Sequence, residues 1–105
     1  NLGHALETVV AIELERRRAD VGYVKTGTGF EVDFFASGQA GDEELIQVCA
    51  DPSDPETQER ELRALIEASG EHPRAKKSLF VLTRDQVFAA KGGVGVRPVY
   101  EWLLS

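Results

Sequence analysis

The sequence predicts an α/β domain built on a mixed β-sheet with helices on its faces. Two features of the segment order carry this expectation. A helical pattern is followed by three consecutive strand patterns, which implies a meander. A second helix then separates the third strand from the fourth, which implies a crossover back to the same sheet. The fourth strand, SLFVLT, is almost continuously apolar, as in a strand buried on both faces.

Each element has a local cause. Residues 2 to about 18 place Leu2, Leu6 and Val9, and then Val10 and Leu14, at helical spacing. Arg16, Arg17 and Arg18 supply cations suited to a helix C-terminus, and Glu13 and Glu15 are expected to face solvent. Residues 21–26 form the first strand pattern. Gly27 and Gly29 around Thr28 give the chemistry of a hairpin turn. In 30–36, alternation places Phe30, Val32 and Phe34 on one face and Glu31, Asp33 and Phe35 on the other. Ser37 to Asp42 is a polar turn. In 44–50, Leu45, Gln47 and Cys49 share a face.

Asp54 is the expected N-cap of the second helix, with Pro55 at its first position. Leu62, Leu65 and Ile66 form its apolar stripe, Ser69 ends that stripe, and Gly70 is expected to stop the helix. After the fourth strand, 84–93 reads as a short helical turn and loop. Val96, Pro98 and Val99 suggest a short strand, and Tyr100 to Leu104 a closing turn that packs Trp102. No repeat or linker interrupts the 105 residues, so one domain is expected.

Composition narrows the function classes. Hydrophobic residues make up 42% and charged residues 29%, ordinary values for a globular chain. No apolar run nears the ~20 residues needed to span a bilayer, and no signal-peptide pattern opens the chain, so a cytoplasmic protein is expected. The single cysteine, Cys49, excludes an intrachain disulfide and a multi-thiolate zinc site. A net charge of −6 argues against strong non-specific nucleic-acid binding. GGVG at 92–95 lacks the lysine-bearing phosphate-loop pattern, so this domain should not bind ATP. With Asn1 first and no methionine, the chain is expected to be a piece of a longer protein.

The polar constellation that stands out is Glu7, Asp33, Gln47 and Cys49. Asp33 lies mid-strand among apolar neighbours. If the second and third strands pair antiparallel, Asp33 and Gln47 converge. Two carboxylates and an amide oxygen are a donor set for a hard divalent cation. Such an ion binds a phosphate oxygen and activates water. From spacing alone the commoner reading is plainer: a hydrogen-bonded Asp, a polar Gln and a small buried Cys.

GFEVDF at 29–34 and ELIQVC at 44–49, with an acid in the first helix, resemble the PD-(D/E)XK nuclease superfamily. They are most similar to the C-terminal domain that follows the ATPase core in many prokaryotic AAA-type ATPases. SDPETQERELRAL at 53–65 and EWLL at 101–104 share that likeness, which covers nearly the whole chain. The resemblance implies a restriction-endonuclease-like fold and a parent ATPase core as partner. It also implies a site holding Mg²⁺ or Mn²⁺ and acting on DNA. Position by position, Glu7 matches the helix acid and Asp33 the metal-binding aspartate. Gln47 stands where a second acid is expected and Cys49 where the catalytic lysine is expected. The two departures matter. An amide binds a cation more weakly than a carboxylate, and a neutral thiol supplies no positive charge. Losing that charge costs on the order of 10²–10³ in rate.

The expectation is therefore a degenerate nuclease-fold module that binds or regulates its ATPase. The alternative is a metal-dependent DNA nuclease with Glu7, Asp33 and Gln47 as ligands. A redox role for Cys49 lacks an activating partner. Lys25, beside the hairpin, is a substitute cation only from another direction. Arg60, Arg63, Arg74, Lys76 and Lys77 offer phosphate contacts, but Glu56 and Glu59 stand four residues before the two helical arginines. That spacing favours a solvated, internally paired face. His4 sits three residues before Glu7 and is expected to be a neutral surface side chain.

Overall fold

The computed structural model describes residues 1–105. In chain order the elements are α1 (Leu2–Arg16), β1 (Asp20–Lys25), β2 (Glu31–Ser37), β3 (Glu43–Val48), α2 (Pro55–Glu71), β4 (Lys76–Val81), β5 (Gly95–Pro98) and α3 (Val99–Leu103). A single 3₁₀ turn, Arg84–Gln86, follows β4. The five strands form one sheet in the order β1-β2-β3-β4-β5. β1, β2 and β3 are antiparallel neighbours; β3–β4 and β4–β5 are parallel. The expected mixed sheet with flanking helices is thus present. No helix is long and apolar enough to cross a membrane.

Two apolar clusters lie on the two faces. One packs α2, through Ala64, Leu65 and Ala68, on Val24, Val32, Leu45, Leu79 and Val81. The other packs α1 and α3, through Leu6, Val10, Leu14, Val99 and Trp102, on Ala36, Ile46 and Phe80. β4 feeds both, and Ser78 through Val81 are all buried. Each fully buried side chain of this kind contributes roughly 1.5–3 kcal/mol by leaving water.

Several expectations need correction. Glu13 does not face solvent; it is 8% exposed and holds both Arg16 and Arg17. It follows Val10 by one turn, so it lies on the buried side, where two guanidinium groups satisfy it. Gly70 does not stop α2, which runs on to Glu71 and is capped at His72. The stripe of α2 is centred on Ala64, Leu65 and Ala68, and Ile66 is turned outward at 41% exposure. Val99 opens α3 rather than closing the last strand. The caps behave as expected: Asp54 accepts from the Glu56 N–H at 3.0 Å, with Pro55 next to it. In the hairpin, Gly29 takes φ 91°, a left-handed conformation that suits glycine.

The largest departure is in β2. Gly22 pairs with Phe35, yet Val24 pairs with Val32, so Asp33 and Phe34 together stand opposite Tyr23. This is a β-bulge. It breaks the expected alternation: Val32 joins the α2-side core, whereas Phe34 and Ala36 join the α1 side.

Candidate functional site

The bulge has a second effect. The β2–β3 ladder runs from Ser37–Glu43 only as far as Phe34–Ile46. Beyond that pair the strands part, and side chains replace the missing backbone bonds. The Asp33 N–H donates to Gln47 Oε1 at 2.7 Å. The Val48 N–H donates to Asp33 Oδ2 at 2.9 Å. Gln47 Nε2 donates to the Glu31 carbonyl at 3.4 Å and to Glu61 Oε2 at 2.8 Å. Gln47 is 3% exposed, and no buried side-chain polar atom in the molecule lacks a partner. The fork is therefore closed and fully satisfied, as buried polar networks must be.

Three acids meet here, Glu7 from α1, Asp33 from β2 and Glu61 from α2, and the charges of the others bear on Asp33. Burial pushes Asp33 up to about 6 from 3.8. The Val48 N–H opposes the rise, and the Glu7 and Glu61 charges add to it. Burial raises Glu61 too, with Arg60 opposing it and Glu7 adding to it. A cleft of about 420 Å³ opens beside them, lined in part by Phe30, Asp33, Gln47, Arg60 and Glu61. A larger groove of about 540 Å³, along Leu62, Ile66 and Phe88, contains none of these acids.

The structure thus brings Asp33 and Gln47 together and sets Glu7 within electrostatic reach of Asp33. Cys49 is different. It shares the α2-side core with Leu45, is 7% exposed, and does not line the cleft. Burial raises its thiol further, so it stays protonated and uncharged near neutral pH. Lys25 is exposed at the end of β1, opposite Glu31, and lies outside the cleft lining. His4 is 80% exposed on its side chain, with Nδ1 4.0 Å from Glu7.

Glu61 is the residue that sequence reasoning missed. Its signal was present: it precedes Leu65 by four residues and Ala64 by three, so it stands on the buried stripe of α2. The basic residues also pair differently from expectation. Arg60 reaches Glu61 at 3.6 Å rather than Glu56. Arg63 lies 5.3 Å over the Phe30 ring and pairs forward with Glu67 at 3.9 Å, out of reach of Glu59. Arg74 pairs with Glu43, and Lys77 Nζ donates to the Gly92 carbonyl.

The donor set does not fit a divalent cation in this arrangement. The one oxygen of Gln47 is taken by the Asp33 N–H, and its amide nitrogen, which cannot ligate, faces Glu61. One Asp33 oxygen is bonded to Val48. No three acidic, histidine or cysteine side chains approach closely enough to hold a metal ion. Compared with known proteins, the chain matches no family model, no curated protein and no solved structure.

Proposed function

We propose that this chain is a degenerate, non-catalytic nuclease-fold module that binds a partner. The ATPase core of a parent protein is the first partner to test and DNA the second. The mixed sheet is compatible with restriction-endonuclease-like topology. The observation that carries the reading is the amide of Gln47, whose oxygen and nitrogen are both consumed in bracing the β2–β3 fork. A position that supplies an acid in an active nuclease here supplies structure. Cys49 supports the same conclusion, because a buried neutral thiol offers no charge to a phosphate.

A second reading, a metal-dependent DNA nuclease, is favoured by one observation. Glu61 brings a carboxylate to the acid-deficient side of the site, 2.8 Å from Gln47. One assay separates the two. Cleavage of single- and double-stranded DNA with Mn²⁺ is measured for the wild type and for Asp33→Ala, both shown to be folded. The module reading expects no cleavage by either protein. Cleavage by the wild type that Asp33→Ala loses would replace it with the nuclease reading.

A further inference from the structure

We propose that the outer half of the β1–β2 hairpin, residues 24–32, is a hinged flap over the Asp33–Glu61 cleft, and that Glu71 latches its tip to α2. Strand pairing sets the hinge. β2 pairs with β3 only between Phe34 and Ser37, whereas β1 and β2 stay paired out to Lys25 and Glu31. The hairpin therefore runs past the sheet with no third strand beside it. At its root lies the bulge between Gly22 and Val24, where the ladder is broken and the strand bends. Gly22, at that bulge, has open space around it.

The hairpin is a unit in itself. The Thr26 N–H donates to the Phe30 carbonyl at 2.8 Å, the Gly29 N–H to the Thr26 carbonyl at 3.0 Å, and the Phe30 N–H to Thr26 Oγ1 at 3.0 Å. None of these bonds has to break when the hairpin lifts. Its hydrogen bonds to the rest of the molecule are made with side chains. At the root, Gln47 accepts from the Asp33 N–H and donates to the Glu31 carbonyl. At the tip, the Gly27 N–H donates to Glu71 Oε2 at 3.0 Å, a contact open to water. Between them, Val24 and Val32 enter the α2-side core, and the Arg63 guanidinium lies over the Phe30 ring.

The cleft is lined by Gly29, Phe30 and Glu31 from the hairpin and by Glu61 and Ala64 from α2. Lifting the hairpin from α2 widens it and parts Gln47 from the Asp33 N–H. The burial of Val24 and Val32 draws the hairpin back, so the closed form is the resting one. A segment with few ladder bonds to its surroundings opens at lower cost than the core unfolds. β4, paired on both sides and buried from Ser78 to Val81, is the contrast. Glu71 is the release, because it is exposed and a partner's donor can compete for its carboxylate. The flap is a property of the hairpin alone, whatever the cleft binds.

The test is native-state hydrogen exchange of the 105-residue chain in a series of low urea concentrations, read by NMR at the Asp33 amide and the β4 amides. Glu71→Ala and Glu71→Gln are run beside the wild type. Glu71 is exposed, so both variants should keep the wild-type circular dichroism. In the wild type, the Asp33 amide should exchange through an opening nearly independent of urea, whereas β4 exchange accelerates with urea. Glu71→Ala should speed Asp33 exchange by roughly three- to tenfold, the effect of losing one exposed hydrogen bond. Glu71→Gln keeps an oxygen acceptor and should restore most of the wild-type rate. A urea dependence at Asp33 equal to that of β4 overturns the flap. An Asp33 rate that Glu71→Ala leaves unchanged overturns the latch, and the proposal with it.

Discussion

Glu13 and Asp33 are both acids withdrawn from solvent, yet their surroundings move them in opposite directions. Glu13 has Arg16 at 2.6 Å and Arg17 at 2.6 Å, and the two guanidinium groups hold its carboxyl down at about 2. Arg17 also lies 4.6 Å over the Trp102 ring, so the cluster ties α1 to α3. The Asp33 carboxyl has one N–H donor, that of Val48, and burial, with Glu7 and Glu61 for neighbours, raises it to about 6. One acid is neutralised by the fold. The other is kept in a place where its charge is unwelcome. Perturbed acids of the second kind collect at functional sites, and structural ion pairs account for the first.

The strongest way to probe this contrast is Gln47, which holds the Asp33 region together without charge. Gln47→Leu leaves the Asp33 N–H and one Glu61 oxygen unpaired in the interior. It should lower stability by about 2–4 kcal/mol in urea denaturation. Gln47→Glu places an acid where the proposed nuclease likeness expects one but removes the donor to Glu61. It should destabilise the chain at neutral pH, and added Mn²⁺ should recover part of the loss. A Gln47→Glu protein as stable as wild type without metal would mean that the carboxylates do not oppose one another.

The second probe is pH. The folded value of Asp33 lies above its ordinary 3.8, so folding favours the protonated form. That stability is fully present below about pH 4 and is lost as pH rises through about 6. After allowance for solvent screening the loss is about 1 kcal/mol. Glu13 acts with the opposite sign: its contribution is present above its ordinary 4.5 and is lost as pH falls toward about 2. Urea midpoints across this range should fall on both sides of a maximum. Asp33→Asn should flatten the neutral side alone, and Glu13→Gln the acid side alone. Either variant changing the other's side would show that the two acids are coupled.

The element order was legible because its causes are local: helical periodicity, Asp54 and Pro55 at a helix start, and glycines at turns. The parts that were not legible depend on pairing. Alternation in FEVDFFA is a property of one strand, whereas the bulge at Asp33–Phe34 exists only against Tyr23 on the neighbouring strand. Glu13 and Glu61 were readable in principle, because each lies one helical turn from a buried apolar residue. An acid among arginines nevertheless reads first as a solvated one. Asp33 and Gln47 were found as a pair. That Gln47 spends its whole amide on the fork could not be read, since it requires Glu61, Glu31 and Asp33 to be placed around it.

The smallest expected effect belongs to Arg60, the one cation lining the cleft, and it tests whether the acids there are answered by any charge. Its side chain is 70% exposed, so its 3.6 Å pair with Glu61 is worth under about 1 kcal/mol, and Arg60→Ala should barely change stability. The titration of Glu61 is the sensitive reading. Arg60 is the influence that opposes its upward shift, so the variant should raise Glu61 further, as followed by carboxyl carbon resonances. Glu13, with its own two arginines, should not move. High salt should shrink the Glu61 difference, because the pair is open to solvent. If Glu61 does not shift at low salt, Arg60 is a surface charge only, and the cleft acids are balanced by hydrogen bonds alone.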